Sequence, residues 1–303
     1  MICEFALEPS LLNNWPNFRY FVGNFGIPRG RLISRYPSAW KRLVYESLGN
    51  CGEVERARIE ESLRRIDDRI IGRPNSIWTD GQGWLPNAEA EHKRKAFHAI
   101  IASANPTGSA AVLDGHILDD ANPLWSVPTA VVVARTATAM AQVVAPLLRA
   151  SKELKFIDPH FDPRRIDFRN VLQEALSAAS HQRDAGPILT VELHTSDADN
   201  KLSTQMFKES CERSLPAIIP NGMTVYVCRW RQRDGGEKLH NRYVLTELGG
   251  VQFHVGLNEG DPGETDEIDL LAEEVYRLRR AQYDVAAPAF DLADDLTIQG
   301  TRR

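Results

Sequence analysis

The chain has 303 residues, 43% hydrophobic and 25% charged, which suits a globular protein with room for two cores. Its formal net charge of −5 argues against a whole-surface electrostatic grip on nucleic acid. No run of about 18 apolar residues occurs, so no membrane-spanning helix is expected.

Met1 to Pro9 carries acidic residues and no basic n-region, so it does not read as a signal peptide. The four cysteines (Cys3, Cys51, Cys211 and Cys228) form no CxxC pair. A cysteine-based zinc site is therefore not expected, no cofactor is implied, and free thiols in a cytoplasmic setting are the default. The charge is uneven. Residues 1–100 hold 15 Lys/Arg against 12 Asp/Glu. Between Glu259 and Glu274 eight carboxylates occur with no intervening base, read as a solvated loop and helix start.

In chain order, the first 50 residues are rich in aromatics, Pro and Gly. They read as an irregular packed segment with one short helix near Ala39–Leu48. A helix from about Glu53 to Ile70 follows, with Ile59, Leu63, Ile66 and Ile70 on one face. Gly72-Arg73-Pro74 stops it. A loop, a helix over about Ala88–Ser103, a turn at Asn105–Gly108 and a short strand near Ala111–Leu118 come next. Thr129–Ala150 has the pattern of an Ala-rich helix, bent at Pro146.

From there the rhythm changes. Strands are expected at Leu154–Ile157, Ile188–His194, Met223–Trp230, Arg242–Thr246 and Val251–Val255. Helices are expected at Phe168–Ser180, Leu202–Ile218 and about Asp269–Asp284. Gly249-Gly250 between the last two strands is a hairpin signature. The order β-α-β-α-β-β-β-α predicts an α/β (α+β) fold with a mixed sheet flanked by helices. The domain reading is 1–150 mostly helical, 151–288 a mixed-sheet domain, and 289–303 a flexible tail.

The chemistry concentrates in Lys238-Leu239-His240-Asn241-Arg242-Tyr243-Val244-Leu245-Thr246-Glu247. A His and a cation two apart on a strand point to one face. A carboxylate five residues further on could orient the imidazole, and the cation could hold a phosphate oxygen. An imidazole can attack phosphorus directly and split one displacement into two. No Gly-rich phosphate loop, Ser-His-Asp motif or HExxH is present.

This pattern resembles the HxK-x4-D motif of the phospholipase D superfamily, with Arg242 for the lysine and Glu247 for the aspartate. The element order over about 150–285 is similar to one phospholipase D half-domain. Asp158-Pro159-His160-Phe161 resembles the end of that fold's first strand. The family's GSxN appears as Gly256-Leu257-Asn258-Glu259. His-x-Arg followed by Gly-Gly and Gly-Leu-Asn is more similar to a divergent branch, the phospholipase D-like domain found C-terminal to some MIT domains, where the resemblance implies binding rather than catalysis. The resemblance implies His240 as nucleophile, Arg242 as phosphate ligand and Glu247 as orienter, with Asn258, His160, Asp158 and His254 as binding residues around them.

Only one such motif is visible, so the resemblance implies a homodimer that brings two copies of His240 face to face. His92-Lys93-Arg94 reads as a solvated helix face and His194 as a strand-end residue. The implied activity is that of a metal-independent phosphodiesterase, a nuclease by family habit, in bacterial defence or DNA processing. The alternative is an inactive module that binds a phosphorylated ligand or a protein partner.

Overall fold

The computed structural model describes residues 1–303 apart from Gln182, Asp184, Asp199, Asn200, Lys201, Ala287 and the Asn50 side chain. The chain divides into two compact units, Met1–Thr129 and Ala130–Arg303.

In the first unit the order is β1 (Cys3–Leu7), α1 (Trp15–Asn24), β2 (Arg31–Ser34), α2 (Trp40–Ser47), α3 (Glu53–Arg64), β3 (Ile70–Ile71), α4 (Trp84–Arg94), β4 (Ala99–Ala102) and β5 (Val112–Asp114). The five strands form one parallel sheet in the order β3-β2-β1-β4-β5. Parallel strands are covered on both faces, so they read as short continuous apolar runs. Phe5, Leu7, Ile33 and Ile101 pack in one core with Trp40 and Trp125. Ala6, Ile100 and Ala102 pack in another with Tyr36 and Phe97.

Helix outweighs strand in this unit, yet the sheet organises it. The segment expected to be irregular holds β1, α1 and β2. Asn14 starts α1 by accepting the Asn17 N–H at 3.0 Å. The helix expected to reach Ser103 ends at Arg94, Lys95 turns to extended backbone, and Ala99–Ala102 becomes β4. Ile70, expected on a helix, lies in β3. An apolar run of four or five residues does not distinguish strand from helix by periodicity.

A buried ionic network ties α4 to the sheet. Arg73 donates to Glu91 at 2.8 Å and to Glu4 at 2.7 Å, and its guanidinium lies over the Phe97 ring. Burial alone would raise the Glu91 pKa. Hydrogen bonds from Arg94, the Ile77 N–H and Arg73 reverse that and hold the carboxyl at about 2.

In the second unit the order is β6 (Ala130–Ala134), α5 (Ala137–Ala150), β7 (Glu153–Ile157), α6 (Ile166–Ser180), β8 (Thr190–Ser196), α7 (Thr204–Ser214), β9 (Thr224–Arg231), β10 (Arg242–Thr246), β11 (Gly250–Phe253), β12 (Thr265–Leu270), α8 (Glu273–Gln282) and β13 (Asp291–Gln299). The eight strands form a mixed sheet in the order β13-β9-β8-β7-β10-β11-β12-β6. β7, β8 and β9 are parallel to one another, and the other pairings are antiparallel. The fold is α/β, with a mixed sheet flanked by helices, as the element order predicts.

Side chains alternate across this sheet. Phe156, Leu193, Val244 and Phe253 face α5 and α6, where they meet Val144, Phe168, Val171 and Leu172. Cys228, Trp230, Tyr243 and Leu245 face the other way and pack with Tyr283 and Phe290. The α6 stripe of Phe168, Val171, Leu172, Ala175, Leu176 and Ala179 is buried throughout, which is the pattern of a helix covering a sheet.

Four expectations are corrected in this unit. The break falls after Thr129 rather than at 150, because the run read as one helix from Thr129 is a strand and a helix. Thr136 begins that helix by accepting the Ala139 N–H, and Pro146 lies within it. The acidic run read as loop and helix start contains β12, with Asp266 and Ile268 buried. The expected tail 289–303 contains β13, paired with β9 from Asp291 to Gln299. Among the described residues no helix is long and apolar enough to cross a membrane.

Candidate phosphate site

The residues singled out from the sequence are carried by the second unit. Asp158 follows the last residue of β7 and is 1% exposed. It accepts the His160 N–H and the Leu257 N–H, each at 2.8 Å. Burial pushes its carboxyl up, against the pull of those two N–H groups and of the charges on Arg242 and His160. β10 runs antiparallel to β7 with Tyr243 opposite Ile157. Continuing that register by one residue sets Arg242 across from Asp158. Val244, two residues further along β10, lines the same small cavity as Asp158, a space of about 20 Å³, roughly the room one water needs.

Arg242 is half-buried, and its Nε is sealed from solvent with no hydrogen-bond partner. Among the described residues its guanidinium makes no hydrogen bond and no ion pair. Guanidinium donors seldom stay idle at such a depth. His240 precedes β10, in an irregular stretch after the Asp234-Gly235-Gly236 turn, and is exposed. Its ring has no hydrogen-bond partner among the described residues. His160 is exposed in the turn after β7. Asp158, His160 and Arg242 therefore converge at the same end of the β7–β10 pair, with His240 two residues before Arg242.

Glu247 does not join them. A strand advances about 3.3 Å per residue, so Glu247 lies about 16 Å beyond Arg242, past the far end of β10. There its carboxylate accepts the N–H groups of Lys152 and Glu153, at 2.6 and 3.0 Å. It holds the entry to β7 and cannot orient His240. His254 is also elsewhere. Phe253 points toward α5 and α6, so His254 points to the opposite face, where its Nε2 lies 2.7 Å from Asp269.

Asn258 has a structural assignment. Its Oδ1 accepts from Arg135 at 3.0 Å, and its Nδ2 donates to Asp167 at 3.1 Å. Glu259 beside it accepts the Ala137 N–H at 3.0 Å. The segment Gly256–Glu259 thus fastens the end of β11 to the first turns of α5 and α6. A Cβ on Gly256 would collide with Asn258 Oδ1, so any larger residue here must push the Asn258 side chain off its partners. Arg135 and Asp167 hold Asn258 in place, and no sequence motif marks either of them. Arg135 was hidden inside the run taken as helix.

The other face of the sheet holds a second polar group. His194 is fully buried and accepts at Nδ1 from Trp230 Nε1 at 2.9 Å. Indole N–H only donates, so the proton of His194 sits on Nε2 and points to Glu192, 2.9 Å away. Burial lowers the pKa of His194 despite that carboxylate. Glu192 also pairs with Lys155, and both line a cleft of about 530 Å³ with Glu153, Tyr276 and Arg280. This quartet knits β7, β8 and β9 together. His194 is thus more than a strand-end residue, a role only its β9 neighbour reveals.

No protein-family model and no curated protein matches the chain. One solved structure with some likeness is that of TrmBL2, an archaeal chromatin protein described as showing a novel mode of DNA binding. It is 10% identical with a TM-score of 0.26, over 51% of this chain and 50% of that one. A likeness that slight assigns neither fold nor function.

Proposed function

We propose that the second unit is a phospholipase D-like module that binds a phosphate-bearing ligand through Arg242. The observation that carries this reading is the half-buried guanidinium of Arg242, which lacks a partner among the described residues and is flanked by exposed His160 and His240. A planar guanidinium offers a fork of donors that fits phosphate oxygens two at a time. Buried Asp158 attracts that charge but spends its hydrogen bonds on the backbone N–H groups of His160 and Leu257, so it accepts none from the guanidinium.

A second reading is a metal-independent phosphodiesterase, a nuclease, with His240 as nucleophile. The exposure of the His240 ring favours it. Glu247 supplies no orienting bond for it, so a second group, from a ligand or a second copy, would have to fix the imidazole.

The test is fluorescence anisotropy with a labelled single-stranded oligonucleotide, together with hydrolysis of bis(p-nitrophenyl) phosphate in EDTA. Arg242→Ala is expected to weaken oligonucleotide binding at least 10-fold, with His240→Ala closer to wild type. Equal binding by wild type and Arg242→Ala would end the reading. Hydrolysis in EDTA that vanishes in His240→Ala would promote the second reading to first.

A further inference from the structure

The two edges of the eight-stranded sheet are built differently. The outer strand β13 carries Asp291, Asp294 and Asp295 and a register shift between Leu292 and Asp294. Charges and irregularities of this kind keep an edge from pairing with another chain. The opposite outer strand, β6, reads Ala130-Val131-Val132-Val133-Ala134. It has no charge, no proline and no bulge, and it pairs with β12 in unbroken register. Val132 is 68% exposed, and Ala130 and Ala134 are exposed with it.

The backbone geometry of that edge is open. Arg135 N–H donates to the Glu264 carbonyl across the same pair at 3.0 Å. In an antiparallel ladder alternate residues turn their polar groups toward the partner. Arg135, Val133 and Val131 therefore face β12, while the N–H and C=O of Val132 point off the sheet. An unprotected apolar strand with outward hydrogen-bonding groups is a template for a further strand.

The strand is also a palindrome. A twofold axis at Val132 sets Ala130 against Ala134, Val131 against Val133, and Val132 against its own twin. Self-pairing about a twofold therefore sets identical uncharged residues against each other at every rung, Ala with Ala and Val with Val, with no mismatch of size or charge. We propose that β6 pairs antiparallel with β6 of a second copy, centred on Val132, to join two sheets into one.

In that dimer the central Val132 pair exchanges two hydrogen bonds across Cα atoms about 5.5 Å apart. Each β10 lies three strands in from β6. At about 4.8 Å per strand the two β10 strands stand about 34 Å apart, less whatever the sheet twist removes. This interface is thus distinct from a face-to-face pairing of His240, and it holds whether or not Arg242 binds phosphate.

Sedimentation velocity on the full chain between roughly 1 and 100 µM tests the proposal. Wild type is expected to sediment at twice the 34.0 kDa chain mass. Val132→Lys and Val132→Glu are each expected to sediment at the single mass, because like charges then meet at the axis. An equimolar mixture of the two is expected to restore the dimer, since Lys then faces Glu. Circular dichroism matching wild type checks the fold of these exposed-site variants. A monomeric wild type, or dimeric single variants, would overturn the proposal. Failure of the mixture to reassociate would overturn the register centred on Val132.

Discussion

Replacing Glu247 with alanine separates the role given by sequence resemblance from the role given by geometry. In the fold, this carboxylate accepts the N–H groups of Lys152 and Glu153, where the chain enters β7. Hydrogen bonds to a charged group contribute about 1.5–3 kcal/mol each. Water can replace part of that at a half-buried site, so a loss of about 2 kcal/mol is expected for the pair. For a unit of this size, that lowers the melting temperature by about 4–8 °C. Arg242 lies about 16 Å away along an extended strand, so oligonucleotide binding and any hydrolysis should stay within about 2-fold of wild type. The assays are a thermal melt of the second unit, followed by circular dichroism, and the anisotropy titration. An unchanged melting temperature with lost binding or hydrolysis would refute the placement and restore Glu247 as orienter of His240.

Two further predictions concern the scaffold. The Glu91 carboxyl is held at about 2 in the folded first unit against 4.5 for the free group, a depressed value. Its contribution is fully present above pH 4.5 and is lost as pH falls toward 2, about 3 kcal/mol in all at 1.36 kcal/mol per unit. Melts of the first unit from pH 7 to pH 3 should show about 2 kcal/mol of that loss, and Glu91→Gln should flatten the slope while costing about 3–5 kcal/mol at neutral pH. An equally steep acid slope in Glu91→Gln would show that another carboxylate carries it. Gly256→Ala should displace Asn258 from Arg135 and Asp167 and cost about 1–3 kcal/mol, read as a lower melting temperature of the second unit; an unchanged melt would mean the crossing has room for a Cβ.

The helices that cover the second sheet were legible because α6 keeps a full apolar stripe, and the β10–β11 hairpin was legible because Gly249-Gly250 marks its turn. What stayed hidden was set by partners distant in sequence. Ala130–Ala134 is indistinguishable from the start of an Ala-rich helix until β12 lies beside it, 132 to 267 being one rung of the ladder. Thr265–Leu270 alternates more exposed with buried positions, but five carboxylates around it suggested solvent. That Arg242 and Asp158 sit at strand ends was legible from the sequence. The distance of Glu247 was not, because a motif records order along the chain and a strand converts order into length. His194 gave no local sign of the Trp230 and Glu192 bonds that fix its proton.

The outer strands of the eight-stranded sheet are the first and the last of that unit in sequence, while β7 and β10 lie at its centre. The rungs of the central pair join residues 86 to 92 positions apart, from Ile157–Tyr243 to Leu154–Thr246. Contacts of such long range slow folding. β6 leaves the ribosome long before β12 exists to receive it, and β9 stays bare on one side until β13 arrives. During that interval Val225 and Val227 border an open ladder, and transiently exposed edges of this kind are where aggregation begins. β13 therefore acts as a seal in time as well as in space: its aspartates close the sheet at the last step and leave behind an edge that other nascent chains do not extend.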